Sequence, residues 1–206
     1  EIKDDVQPDK NGNFLRTESG AGEVYYTTLV VKILCLIANK ISTLDPSGIG
    51  VAMEADKPNW YDALNGLPGL LGSAVSETYE IKRFCGFLLD AFDELALSDE
   101  DSFAVFDELS RFIKNLDSLL MKKTDALNYW VESNELKEHY REKVRLGISG
   151  VEEDLTVKDV KGFLSRVVDK VDQAIDLAKD DQGYLTTYFY HEVTEYRFLK
   201  KDKKPG

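Results

Sequence analysis

Apolar side chains recur at three- and four-residue spacing through five stretches of the chain, and this period constrains the fold more than any other feature. Between Glu23 and Leu44 the recurring positions are Leu29, Ile33, Leu36, Ile37 and Ile41, with Val30 and Leu34 widening the face. Asp45-Pro46-Ser47-Gly48 ends that helix, because Pro cannot continue the backbone bonding and Gly permits the turn. Ser76 reads as an N-cap for a second helix to about Leu97, with Glu77 and Glu80 at the positive end of its dipole. Its inward stripe is Ile81, Phe84, Cys85, Leu88, Leu89, Phe92 and Leu95. Ser98-Asp99-Glu100-Asp101 reads as the next cap, ahead of Phe103, Phe106, Leu109, Ile113, Leu116 and Leu120. Residues 125–146 are predicted helical with more charge, and Gly147-Ile148-Ser149-Gly150 marks a turn. Thr156, with Asp159 three positions on, caps a helix that turns Val160, Phe163, Leu164, Val167, Val171, Ile175 and Leu177 inward.

The stretch from Tyr184 to Leu199 is rich in Thr and Tyr and is open to either strand or helix. The pattern as a whole predicts an all-α chain of five or six helices packed as helical hairpins. The organisation read from it is an extended N-terminal segment at 1–22, a helical domain at 23–199 with a loop at 45–75, and a basic tail at 200–206.

Charge narrows the function classes. The 206-residue chain carries a formal charge of −12, whereas a phosphate-backbone surface needs concentrated Lys and Arg, so no nucleic-acid partner is expected. The longest apolar stretch, Leu29 to Ala38, is interrupted by Lys32 and falls short of a spanning length of about 20 residues, so no membrane partner is expected. Cys35 and Cys85 both sit in helical apolar patterns and read as small buried hydrophobes rather than a disulfide, which points to a cytoplasmic setting. His191-Glu192-Val193-Thr194-Glu195 lacks the second His of a zinc-protease helix, and His139 lies among Lys137, Glu138 and Arg141, so neither nominates a metal site.

The run from Glu54 to Gly69 stands apart from this helical pattern. It places Trp60 and Tyr61 beside Asp62, between Pro58 and Pro68, on a restricted loop of the kind that displays functional side chains. Asp62 has two readings: a carboxyl desolvated against the indole and suited to general acid catalysis, or the cap of a short turn at Ala63-Leu64-Asn65. Glu54 and Asp56 read either as partner bases or, more plainly, as a solvated acidic loop. The pair Tyr25-Tyr26, the cluster Tyr188-Phe189-Tyr190, and Tyr129 with Trp130 could stack on a sugar or simply fill a core. Ser47 and Ser73 have no neighbouring His in the sequence to activate them.

Asn59-Trp60-Tyr61-Asp62-Ala63-Leu64-Asn65 resembles the Trp-Asn-Asp-Gly-Met-Asn signature of cellobiose phosphorylase-type enzymes, glycoside hydrolase family 94 and its relatives. Tyr61 stands for the signature's Asn, Ala63 for its Gly, and Asn59 for the acidic residue before its Trp. The resemblance implies an (α/α)6 toroid of six helical hairpins and inverting phosphorolysis of a β-linked glucoside. It implies Asp62 as general acid and Trp60 at the sugar subsite. Beside these two, Asn65, Tyr61, Glu54 and Asp56 are the candidate substrate contacts on the same stretch, Asn65 to bond a hydroxyl or orient Asp62. No cofactor is implied, only inorganic phosphate as co-substrate and an oligo- or disaccharide as substrate. Such a toroid needs twice the helices present here, so the resemblance implies a portion of a larger enzyme. Half a barrel would expose an apolar face, and the chain is then expected to dimerise or to need the remaining part of the parent enzyme. The alternatives left open are an inverting hydrolase on the same scaffold, with Glu54 or Asp56 activating water, and a non-catalytic acidic interaction module.

Overall fold

The computed structural model describes residues 14–53, 72–122, 124–192 and 194–195. Helix α1 covers Leu29–Ile41 and strand β1 Val51–Ala52; β2 covers Gly72–Ala74 and runs through Val75 into α2, Ser76–Glu94. Strand β3, Ser102–Phe106, runs directly into α3, Asp107–Met121, and α4 spans Ala126–Val144. Strand β4, Glu152–Thr156, likewise runs directly into α5, Val157–Leu177, and β5 is Tyr188–Tyr190. The chain is therefore mixed α/β, with five helices and two small antiparallel sheets among the described residues. This overturns the all-α expectation and with it the six-hairpin toroid, whose layers are built of helices alone.

The physical reason lies in two strand–helix junctions. At Ser102–Phe106 the spacing of Phe103, Phe106 and Leu109 imitates a helix, yet Phe and Val favour a pleated, half-buried surface. Phe106 keeps an extended ψ of 140° before the helix starts at Asp107. The partner that holds this strand straight is β4, paired antiparallel from Ser102 opposite Thr156 to Phe106 opposite Glu152. Both ends of the ladder are sealed by further bonds, Asp107 N to Val151 O at 2.9 Å and Val157 N to Asp101 O at 2.7 Å. Ser98 and Asp101 form a turn ahead of the strand rather than a helix cap, Ser98 N donating to Asp101 Oδ2 at 2.7 Å.

Elsewhere the periodicity reads correctly. Thr156 Oγ1 accepts from Asp159 N at 3.1 Å and caps α5 as expected. The turn after α4 is real, with Gly147 at φ 141° and Gly150 at φ 92°. Gly147 has no room for a side chain, since a Cβ there would sit 2.4 Å from Gly20 N. The first helix is shorter than predicted because Thr28 caps it, accepting from Val31 N, and the preceding Val24 bridges to Arg16. Four leucines placed on the apolar stripes by the period are exposed: Leu29 and Leu36 on α1, Leu95 just past α2, and Leu177 at the end of α5. Ser76 is not the N-cap of α2 but its first residue; Val75 holds the cap position, without a side-chain cap bond.

One core of buried side chains draws on all five helices, with Leu34, Leu88, Leu109, Tyr129 and Phe163 among its largest members. Helix α2 packs chiefly along α5, and α3 along α4. Arg166 of α5 holds Asp117 of α3 with both Nε and Nη2, at 2.6 and 2.7 Å. Cys35 and Cys85 are free thiols, and burial pushes the Cys85 thiol from 9.0 up to about 12. No helix among the described residues is long and apolar enough to cross a membrane.

Leu155 packs into this core from β4 and is 3% exposed. Leu155→Ala is expected to destabilise the protein by about 2–5 kcal/mol in urea unfolding. A cost below about 0.5 kcal/mol, the range of a surface change, would mean that β4 does not seat Leu155 in the core.

Candidate functional site

The end of α1 sets up the candidate site. Thr43 Oγ1 donates to Asn39 O at 2.6 Å and Ser42 Oγ to the same carbonyl at 2.9 Å, closing the helix with side chains. The next turn, Asp45 to Gly50, is organised by one carboxylate. Asp45 Oδ1 accepts from Ser47 N at 2.8 Å and Ile49 N at 3.1 Å, and Oδ2 accepts from Gly50 N at 3.0 Å. Asp45 is 1% exposed, so these bonds replace the water that its charge has lost. Its own N–H donates to Gly50 O at 2.8 Å.

That turn delivers the chain into β1. Val51 faces Ala74 and Ala52 faces Ser73 across the antiparallel pair, and Met53 N donates to Gly72 O at 2.9 Å. Met53 and Gly72, the described residues that flank 54–71 in sequence, are thus held together across β1 and β2. On the other side β2 pairs with β5, Gly72 opposite Tyr190 and Ala74 opposite Tyr188. Side chains two apart on a strand share a face, so Tyr188 and Tyr190 lie together on one face of β5. The Tyr190 side chain is 62% exposed.

Three functional groups converge beside β2. His191 Nε2 lies 3.4 Å from Ser73 Oγ and 3.5 Å from Asp45 Oδ2. The trio resembles an acyl-transfer triad only in its residue types. In such a triad one ring nitrogen faces the nucleophile while the acid orients the other. Here both neighbours approach the same nitrogen, Ser73 is fully buried, and Asp45 is occupied with three N–H donors. The arrangement ties the end of β5 to the Asp45 turn and to β2. It is a structural clasp.

Glu54, Asp56, Trp60, Tyr61, Asp62 and Asn65, the site residues read from sequence, all lie outside the described residues. Of the other aromatic candidates, Tyr129 is core, its hydroxyl donating to Ile41 O at 3.1 Å. Tyr25 packs edge-on to Phe106, 5.7 Å between centroids, and donates to Glu152 Oε1 at 2.7 Å. Tyr26 and Trp130 are exposed. The approach of His191 to Ser73 has no signal in sequence, since 118 residues separate them. The Asp45 turn did have one, because Asp-Pro-Ser-Gly is a composition in which the Asp side chain bonds backbone N–H groups two and more residues on. Among the described residues no group of three or more His, Cys, Asp or Glu is placed to hold a metal ion.

Removing the Asp45 carboxylate should cost far more than removing the imidazole. Asp45→Ala leaves three N–H donors without their acceptor and is expected to destabilise by about 2–4 kcal/mol. His191→Ala, which loses two long contacts, should cost less than about 1 kcal/mol. Thermal or urea unfolding of the two variants checks the order, and the reverse order would make the imidazole the organiser. Compared with protein-family models and with curated proteins, the chain matches none.

Proposed function

We propose that this chain is the portion of a carbohydrate-active enzyme that carries its acid loop, residues 54–71. In this reading Trp60 offers an apolar platform to a β-linked glucose unit, and Asn65 hydrogen-bonds a sugar hydroxyl or orients Asp62. The Asp62 carboxyl gives its proton to the glycosidic oxygen as the bond to the anomeric carbon breaks. Inorganic phosphate forms the new bond from the opposite face, so the products are an inverted sugar phosphate and the freed sugar. One carboxyl suffices because the phosphate nucleophile is already anionic at neutral pH.

The observation that supports this reading is the bond between Met53 and Gly72, the residues flanking 54–71, with Tyr190 paired opposite Gly72. A loop that must hold an acid near a glycosidic oxygen works only if its ends are fixed. An exposed aromatic ring is the usual partner of a sugar face. The reading rests on this stretch and its flanking residues and not on any six-hairpin framework. Tyr61, Glu54 and Asp56 remain its further sugar contacts.

A second reading, a non-catalytic interaction module with 54–71 as its binding edge, is favoured by a different observation. All five helices contribute to one core, so the chain closes on itself where an open half-barrel was expected.

The test is phosphate-dependent release of sugar phosphate from β-glucosides and β-glucans. It compares this chain with the longer protein that would contain it, each beside its Asp62→Asn variant. The expected result is phosphate-dependent release by the longer protein, reduced about 10²–10⁴-fold by Asp62→Asn. Cleavage that is indifferent to phosphate would replace phosphorolysis with hydrolysis, with Glu54 or Asp56 as base. Neither cleavage nor sugar binding by either chain would overturn the carbohydrate reading in favour of the interaction module.

A further inference from the structure

We propose that the cavity beside Lys170, between α3, α4 and α5, binds a small organic oxyanion, a carboxylate or a phosphate monoester. The cavity measures about 480 Å³, within the range of small-molecule sites, and lies apart from residues 54–71 in sequence. This assignment does not rest on the carbohydrate reading.

The argument starts from Lys170. Its ammonium sits over the Tyr129 ring at 4.4 Å, half-buried on α5, and its stem runs along the cavity wall. An ammonium has three donors. Among the described residues no carboxylate lies within ion-pair distance of Lys170, although the cavity wall carries two. Asp125 is engaged elsewhere, accepting from Asn128 N at 2.9 Å and Asn128 Nδ2 at 2.6 Å as the cap of α4. Asp169 is exposed. The other two cations of the wall are already matched, Arg166 by Asp117 and Lys122 by Glu132 at 2.7 Å. Lys170 is thus the cation here whose donors are unspent.

Burial drives the Lys170 ammonium below its ordinary value, against the opposing charge of Asp125. An anion delivered to it would reverse that loss. Arg166 is held in place by two bonds to Asp117 and still has N–H groups to offer, which suits an oxyanion with more than one oxygen. Leu119, Leu120 and the Tyr129 ring supply an apolar wall, while Thr124 and Gln173 add polar groups. The matching guest has an oxyanion head and a compact apolar body.

The test uses three ligands of one body size, benzoate, phenyl phosphate and benzyl alcohol, titrated at constant ionic strength. Amide shifts report binding to the wild-type chain and to Lys170→Gln and Lys170→Arg. The expected result is saturable movement of residues 124–130 and 166–173 with at least one of the two anions. Affinity should be about tenfold or more weaker for the alcohol, about tenfold weaker in Lys170→Gln, and largely kept in Lys170→Arg. The tighter of the two anions identifies carboxylate or phosphate as the natural head group. Benzyl alcohol binding as tightly as the anions would overturn the proposal and leave an apolar cavity. Unchanged anion affinity in Lys170→Gln, or no saturable binding of either anion, would overturn it too. If Lys170→Gln does not fold, the alcohol comparison and Lys170→Arg still decide.

Discussion

The buried carboxylate of Asp45 is the interaction on which the β1–β2–β5 half of this structure depends. A charge 1% exposed has lost its water, and three backbone N–H groups from Ser47, Ile49 and Gly50 replace it. Those bonds fold the chain back at the end of α1 and aim it into β1. From β1 the ladder passes to β2 and then to β5, so one turn positions both Met53 and Gly72, the residues that flank 54–71 in sequence. Gly50 can make that turn only because it is bare, since a Cβ there would lie 2.9 Å from the Ser73 Cβ. The clasp of His191 on Ser73 and Asp45 then fastens the far end of the sheet to the same point.

The second half of the structure is governed by a different rule. Each strand of the β3–β4 pair continues without a loop into a long amphipathic helix, and the antiparallel pairing sends α3 and α5 out from opposite ends. Their apolar stripes, Leu109, Phe112, Ile113 and Leu116 on one and Val160, Phe163, Leu164 and Val167 on the other, enter a common core. The Arg166–Asp117 pair locks the two helices together, and Arg166 of that pair lines the Lys170 cavity.

How much of this was legible in the sequence follows from the range of the forces involved. Local rules worked: the Thr156–Asp159 cap, the 3.6-residue stripes of α2, α3 and α5, and the glycine turn at 147–150 depend on neighbours in the chain. The strands were missed because Ser102–Phe106 and Glu152–Thr156 are strands only in each other's presence, fifty residues apart in sequence. Phe103 and Phe106 fit a helical stripe as well as a strand, and Glu-Glu-Asp-Leu-Thr carries little strand preference of its own. The site divides in the same way. The composition of 54–69 sets that stretch apart, but nothing local shows that Ser73 meets His191 or that Tyr190 pairs opposite Gly72. The Lys170 cavity is likewise assembled from three helices, and Lys170 alone reads as one more charge on an amphipathic face.

If residues 54–71 contact sugar as proposed, Trp60 is the natural reporter of that contact. The chain has two tryptophans, and Trp130 is on the surface of α4, so Trp130→Phe leaves Trp60 as the sole indole. The most direct measurement is the fluorescence of that variant during titration with cellobiose, with glycerol as a control for solvent effects. The account predicts a saturable change in Trp60 emission that is specific to the sugar. An emission unmoved by cellobiose, or moved equally by glycerol, would contradict it.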